Sequence, residues 1–210
     1  MGPQDYSFTV SPDVRVNLPG PEQMTSEQRA VYDDVVAGRR GRMVGPLRAV
    51  IHSPELATRW HRIGEFLRFN TVLPAPLSEL AILACGRRWN SDVEWAVHAR
   101  VARQAGIAED VIEAIEAGRT VEFTDPEQLE VYRFAQMLLH TGQVSDPVYA
   151  AIRDRWQDRG VVELTGLVGY YSMVAMMVNV HLVPVPDGEG PGIRALGPDL
   201  TDLPEGELRQ

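Results

Sequence analysis

From residue 25 to residue 185, apolar residues recur at helical spacing, each stretch is bounded by a helix start or stop, and no period-two run of β-branched residues appears. Thr25 or Ser26 can cap a helix that runs to Ala37, where Gly38 stops it. Ser53-Pro54 is a cap followed by proline at the first helical position, and the helix it starts carries Leu56, Trp60, Ile63, Phe66 and Leu67 on one side. Pro74 and Pro76 break the chain before a helix over about 76–89, which carries Leu80, Leu83 and Ala84. Ser91 opens the next helix and Gly106 closes it. A short helix over 108–118 puts Val111, Ile112 and Ile115 on one stripe. Thr124-Asp125-Pro126 starts a helix through Leu139, and Asp146-Pro147 starts another through Trp156. Gly160 separates that helix from a long apolar one over 161–182. Some eight helices without a sheet predict an all-α fold, a compact multi-helix bundle.

The chain has 210 residues, the size of one domain, and its 44% hydrophobic and 23% charged residues exclude disorder over most of it. Residues 1–24, with Pro3, Pro12, Pro19 and Pro21, read as an extended arm, and 25–185 as a single domain. Residues 186–210 read as a Pro/Gly-rich tail, loose or wrapped on a partner subunit. One cysteine excludes a disulfide scaffold and any thiol cycle that needs two cysteines in one chain. A formal charge of −9 argues against a nucleic-acid or anionic-membrane partner. The N-terminus has no basic region followed by an apolar stretch, and Tyr6 stands where myristoylation requires Ser or Thr. The uncharged run Leu164 to Val185 contains Gly166, Gly169, Asn179, His181 and Pro184, a pattern of a core or interface helix rather than a membrane span. The expectation is a cytoplasmic protein.

The densest polar set on apolar helices lies in residues 79–98. Glu94 and His98 are four apart and share a helix face. Glu79 shares a face with Ile82, Leu83 and Gly86. A carboxylate and an imidazole in one apolar pocket are the parts of a proton-transfer site, because burial raises the carboxyl and the neighbour adjusts the imidazole. Each residue also has a structural reading. Ser91-x-x-Glu94 matches a capping box. His98 can be a satisfied core or surface histidine. Glu79 lies near the start of its helix, where a carboxylate meets the positive helix end. Glu94 and His98, with Glu79 or His61, can be set out as metal ligands, but no tight His/Cys/Asp cluster completes the set, so no metal is expected.

The segment Glu79…Asn90…Glu94-Trp95-x-x-His98, followed by Ala-x-x-x-Gly-Ile at 102–107, resembles the core motif of the carboxymuconolactone decarboxylase and alkylhydroperoxidase D-like family. Upstream, Gly45-Pro46-Leu47, His52-Ser-Pro-Glu-Leu56 and Gly64-x-x-Leu67-Arg68 resemble the lead-in of its decarboxylase-like members. Downstream, Glu163-Leu164…Gly169-Tyr170-Tyr171…Asn179 resembles their final helix. The resemblance implies an all-α fold, a trimer or hexamer, and a pocket lined by the helices that carry the motif. The redox branch of the family has Cys-x-x-Cys followed three residues later by His. Aligning His98 on that histidine puts Ser91 and Glu94 on the two cysteine positions, with Cys85 as the sole thiol, read as a small hydrophobe in an apolar helix.

What remains is similar to the non-redox branch, whose named reaction removes CO2 from a lactone acid without a cofactor. The resemblance implies His98 as acid/base, Glu94 orienting it, Glu79 as a second proton carrier and Trp95 as a pocket wall. Arg68 is placed to meet a substrate carboxylate, and Cys85, Asn90 and Tyr171 are counted with the pocket. Two other expectations stand beside it: an all-α oligomer that binds a ligand without turnover, and a thiol-dependent peroxidase-like protein.

Overall fold

A computed structural model describes residues 13–194. Eight α-helices follow in order: α1 Ser26–Ala37, α2 Gly45–Val50, α3 Pro54–Phe69, α4 Ala75–Arg88, α5 Asp92–Gln104, α6 Glu109–Glu116, α7 Pro126–Thr141 and α8 Asp146–His181. No strand occurs among the described residues, and the all-α expectation is met.

Local chemistry sets the boundaries. Thr25 caps α1 through a full capping box with Gln28. Asp125 accepts from the Glu127 N–H at the start of α7, with Pro126 at the first helical position. Gly142 ends α7 at φ 71°, the left-handed conformation a glycine adopts without a Cβ penalty. The short α2 was not predicted; its start is marked by Pro46, and it buries Leu47, Ala49 and Val50.

Helix α4 occupies the centre, packed against α5, α7 and α8. Every residue from Leu77 to Arg87 is buried, as expected of a helix apolar on nearly all sides. One core joins α1–α4, α7 and α8 around Trp60, Phe134, Ile82 and Leu164. A second joins α4, α5 and α6 around Leu83, Trp95 and Ile112.

The break expected at Gly160 falls at Gln157, whose φ of 58° and ψ of −173° interrupt α8. Gly160 serves the kink differently, since a Cβ there would lie 2.2 Å from the Trp156 Cβ. Length and composition alone would let α8 cross a membrane, but its apolar window is 56% buried inside the fold, the position of a core helix.

The described part of the N-terminal arm folds back. Val16 and Leu18 pack on Ala49, Val93, Val178 and Val183, and the Asn17 carbonyl meets His52 Nε2 at 2.7 Å. The tail, expected loose or wrapped on a partner, packs on its own chain as far as it is described. Arg100 pairs with both Glu189 oxygens at 2.7 and 2.8 Å, the Ile193 N–H donates to Asp92 Oδ1 at 2.9 Å, and Ile193 is buried against the second core. Residues 1–12 and 195–210 of the two arms lie outside the described residues.

Candidate active site

The turn between α4 and α5 is tight. Asn90 takes φ 48°, and the Ser91 N–H donates to the Gly86 carbonyl at 2.9 Å. This turn brings Glu79 of α4 opposite His98 of α5. His98 Nδ1 lies 2.6 Å from Glu79 Oε2. One helical turn back on α5, Glu94 Oε2 lies 3.6 Å from His98 Nε2 and has no hydrogen-bond partner. All three side chains are buried: Glu79 is 6%, Glu94 4% and His98 4% exposed. Ser91 makes no side-chain cap bond, so the capping-box reading of Glu94 does not hold.

The two carboxyls are driven apart. Burial raises Glu79, but the charge of His98 and its hydrogen bond more than offset that, and Glu79 ends below the ordinary carboxylate range. Burial raises Glu94, and the same histidine offsets it only in part, so Glu94 ends above that range. An ionised Glu79 only accepts, so the proton in the 2.6 Å contact sits on His98 Nδ1. In the neutral imidazole Nε2 then carries the lone pair and faces Glu94. Two carboxyls with opposed shifts around one imidazole are the pattern that separates acid from base.

A cavity of about 190 Å³ opens on Glu94 and His98. Drug-sized pockets run to roughly 300–1,000 Å³, so this one suits a small metabolite. Tyr171 stands edge-on to the His98 ring with centroids 5.1 Å apart, Tyr170 packs on Tyr171 at 5.4 Å, and Trp60 on Tyr170 at 5.7 Å. Burial pushes the Tyr170 hydroxyl up to about 12 and the Tyr171 hydroxyl up as well. Both phenols therefore stay neutral near pH 7 and can act as hydrogen-bond donors.

Of the residues expected at the site, Glu94, His98, Arg68 and Tyr171 line this cavity. Glu79 sits outside the lining and meets it only through its contact with His98. Three expectations are corrected. Trp95 is not a pocket wall; it is 3% exposed in the second core, with Leu83 and Ile112. Cys85 is fully buried in the first core, its Sγ 3.7 Å from the Val168 carbonyl, and burial pushes its thiol up to about 12. Asn90 forms the α4–α5 turn and accepts from the Arg87 guanidinium.

His61 does not join the set. It lies on α3 with Nε2 3.7 Å from Glu65 and 3.9 Å from Asp34. Among the described residues no group of three or more His, Cys, Asp or Glu is arranged to hold a metal ion. Among the cavity residues that escaped sequence reasoning are Arg39, Arg40 and Arg42 of the α1–α2 loop. The signal was present as Arg-Arg-Gly-Arg at 39–42 of an acidic chain.

No protein-family sequence model matches the chain, and neither does any curated protein. A solved structure does: the alkylhydroperoxidase AhpD core of an uncharacterized peroxidase-related protein from Ralstonia eutropha JMP134. The TM-score is 0.70 at 14% sequence identity, covering 85% of this chain and 95% of that one. At that identity the likeness concerns architecture, and the chain has the AhpD-like core fold.

Proposed function

We propose that this chain is a non-redox acid/base enzyme acting on a small lactone or carboxylic acid by proton transfer, with loss of CO2 from a conjugated lactone acid as its reaction. The observation that carries this reading is the buried array in which Glu79 holds His98 Nδ1 while Nε2 faces a Glu94 carboxyl that burial raises above the ordinary carboxylate range. In the reaction the bond between carbon and carboxylate breaks. Its electron pair passes into the conjugated carbonyl as a dienolate, and CO2 leaves. The Glu94 proton passes to carbon, and Glu94 recovers a proton from solvent through His98 Nε2. The Tyr171 hydroxyl is suited to hold the lactone oxygen as charge develops there. The roles expected for the two glutamates are thereby exchanged: Glu79 orients, Glu94 carries the proton.

The thiol-dependent alternative is disfavoured by Cys85, the sole cysteine, buried in the core with its thiol held protonated. The test is CO2 release from a panel of conjugated lactone acids and β-keto acids. Wild type is expected to turn over at least one of them, with His98→Ala slower by ~100-fold or more. Wild-type turnover in His98→Ala overturns the reading.

We also propose that copies of the chain associate, as the expected trimer or hexamer. Val162, Met173, Met176 and Val180 of α8 are 70, 38, 47 and 55% exposed. With Gly166 and Gly169 they form an uncharged stripe at alternating spacings of three and four, the period of a helix–helix seam. Ile63 and Phe66 of α3, 50 and 41% exposed, add to this apolar surface.

A further inference from the structure

The chain carries −9 overall, yet four arginines line its cavity: Arg39, Arg40, Arg42 and Arg68. Glu94 is the sole carboxylate among the lining residues, and burial favours its neutral form. The cavity is therefore strongly cationic. Arg39 is committed to structure. Its guanidinium donates to the Phe69 carbonyl at 3.0 Å and Asn70 Oδ1 at 3.1 Å, and its backbone N–H to Glu65 Oε1 at 2.7 Å. These bonds pin the loop to the end of α3.

Arg40, held beside it, is different. Its Nε is sealed from solvent and has no hydrogen-bond partner. Its Nη2 and the Tyr170 hydroxyl converge over Gly64, where a Cβ would lie 2.7 Å from the former and 2.1 Å from the latter. A side chain at 64 would push both away, so glycine there is what lets a guanidinium and a phenol meet at the cavity wall. A buried donor without an acceptor costs roughly 1–3 kcal/mol, more when charged, a cost that an arriving oxyanion relieves.

We propose that Arg40, with Arg68 and the Tyr170 hydroxyl, forms an oxyanion-binding subsite that takes a carboxylate or phosphate group which the ligand keeps through the reaction. The proposal rests on reading the cavity as the substrate site. The retained group follows from electrostatics. A guanidinium paired with the carboxylate to be lost would hold its charge in place and oppose decarboxylation. Paired with a second anionic group, it spends binding energy on positioning. The substrate class is thus a small acid with an anionic handle besides its reacting carboxyl.

Calorimetric titration of the full chain with succinate, inorganic phosphate and neutral dimethyl succinate tests this. Wild type is expected to bind at least one anion and not the diester, and the preferred anion identifies the handle. Arg40→Gln should weaken that binding by ~10-fold or more, Arg40→Lys less, and Cys85→Ala, outside the cavity, by under ~3-fold. Thermal unfolding without ligand reports whether each variant folds, and Arg68→Gln gives a second, independent loss of affinity. Binding unchanged in both Arg40→Gln and Arg68→Gln, equal binding of the diester, or no anion binding by wild type overturns the subsite. Anion binding without CO2 release from any panel member overturns the proposed reaction and leaves the subsite standing.

Discussion

Glu79 of α4 and His98 of α5 meet through a 2.6 Å hydrogen bond, buried on both sides, that fixes which nitrogen of the imidazole faces the cavity. Glu79 lies outside the lining of the cavity that His98 faces, so in the proposed reaction its part is positioning. Glu79→Gln keeps the shape and removes the anion. Turnover should drop by ~100-fold or more while the unfolding temperature stays near that of wild type. Steady-state rates and thermal unfolding check both; wild-type turnover in a folded Glu79→Gln would contradict the positioning role.

Glu94 is raised above the ordinary carboxylate range by burial, which links function to stability. Its folded state holds a proton that the unfolded chain releases more readily. The stability it contributes is present at low pH and lost as pH rises from the unfolded carboxyl value through the folded one. Glu94→Gln removes that loss. It should abolish turnover while raising the unfolding temperature at pH 7 and flattening its decline at higher pH. A variant less stable than wild type at pH 7 would contradict a buried, proton-holding Glu94.

Burial lowers His61 below its ordinary value of 6.5, with Glu65 opposing the shift. As pH falls below 6.5, the unfolded chain binds a proton that the folded chain accepts only at lower pH, so stability falls through that window. Thermal unfolding between pH 7 and 5 should show a steeper loss in wild type than in His61→Gln. Equal slopes would place the acid sensitivity elsewhere.

Cys85, with no exposed surface and a thiol pushed up to about 12, should resist thiol reagents in the native protein and react once the chain is unfolded in denaturant. Cys85→Ala should cost stability through lost packing and leave turnover in place. Loss of turnover in a folded Cys85→Ala would reinstate thiol chemistry.

The seam on α8 predicts that Met173→Glu converts the assembly to smaller species in sedimentation experiments. A monomeric wild type, or an unchanged mass for Met173→Glu, would contradict it.

Much of this arrangement was readable before the structure. Helix starts were marked by Thr25, Pro54, Pro126 and Pro147, and one side of the site by the spacing of Glu94 and His98. Local patterns do not encode which helices meet. Spacing within α5 pairs Glu94 with His98, and it was the family resemblance that made Glu79, nineteen residues before His98, a separate carrier. Burial alone did not separate pocket from core: Trp95, Cys85 and Glu94 are comparably buried, but only Glu94 faces the cavity. The arginine loop was missed because a charge run on an acidic chain reads as solvated surface until α3 is seen to hold it inward through Glu65 and Asn70.

The most direct test needs no substrate. Nitrogen-15 NMR of the histidine rings, with the His98 signals identified by their absence in His98→Ala, reports which nitrogen carries the proton. A proton on Nδ1 of neutral His98, lost or redistributed in Glu79→Leu, which offers no acceptor, is the predicted result. A neutral His98 protonated on Nε2, or a pattern unchanged in Glu79→Leu, would contradict the relay on which the proposed chemistry depends.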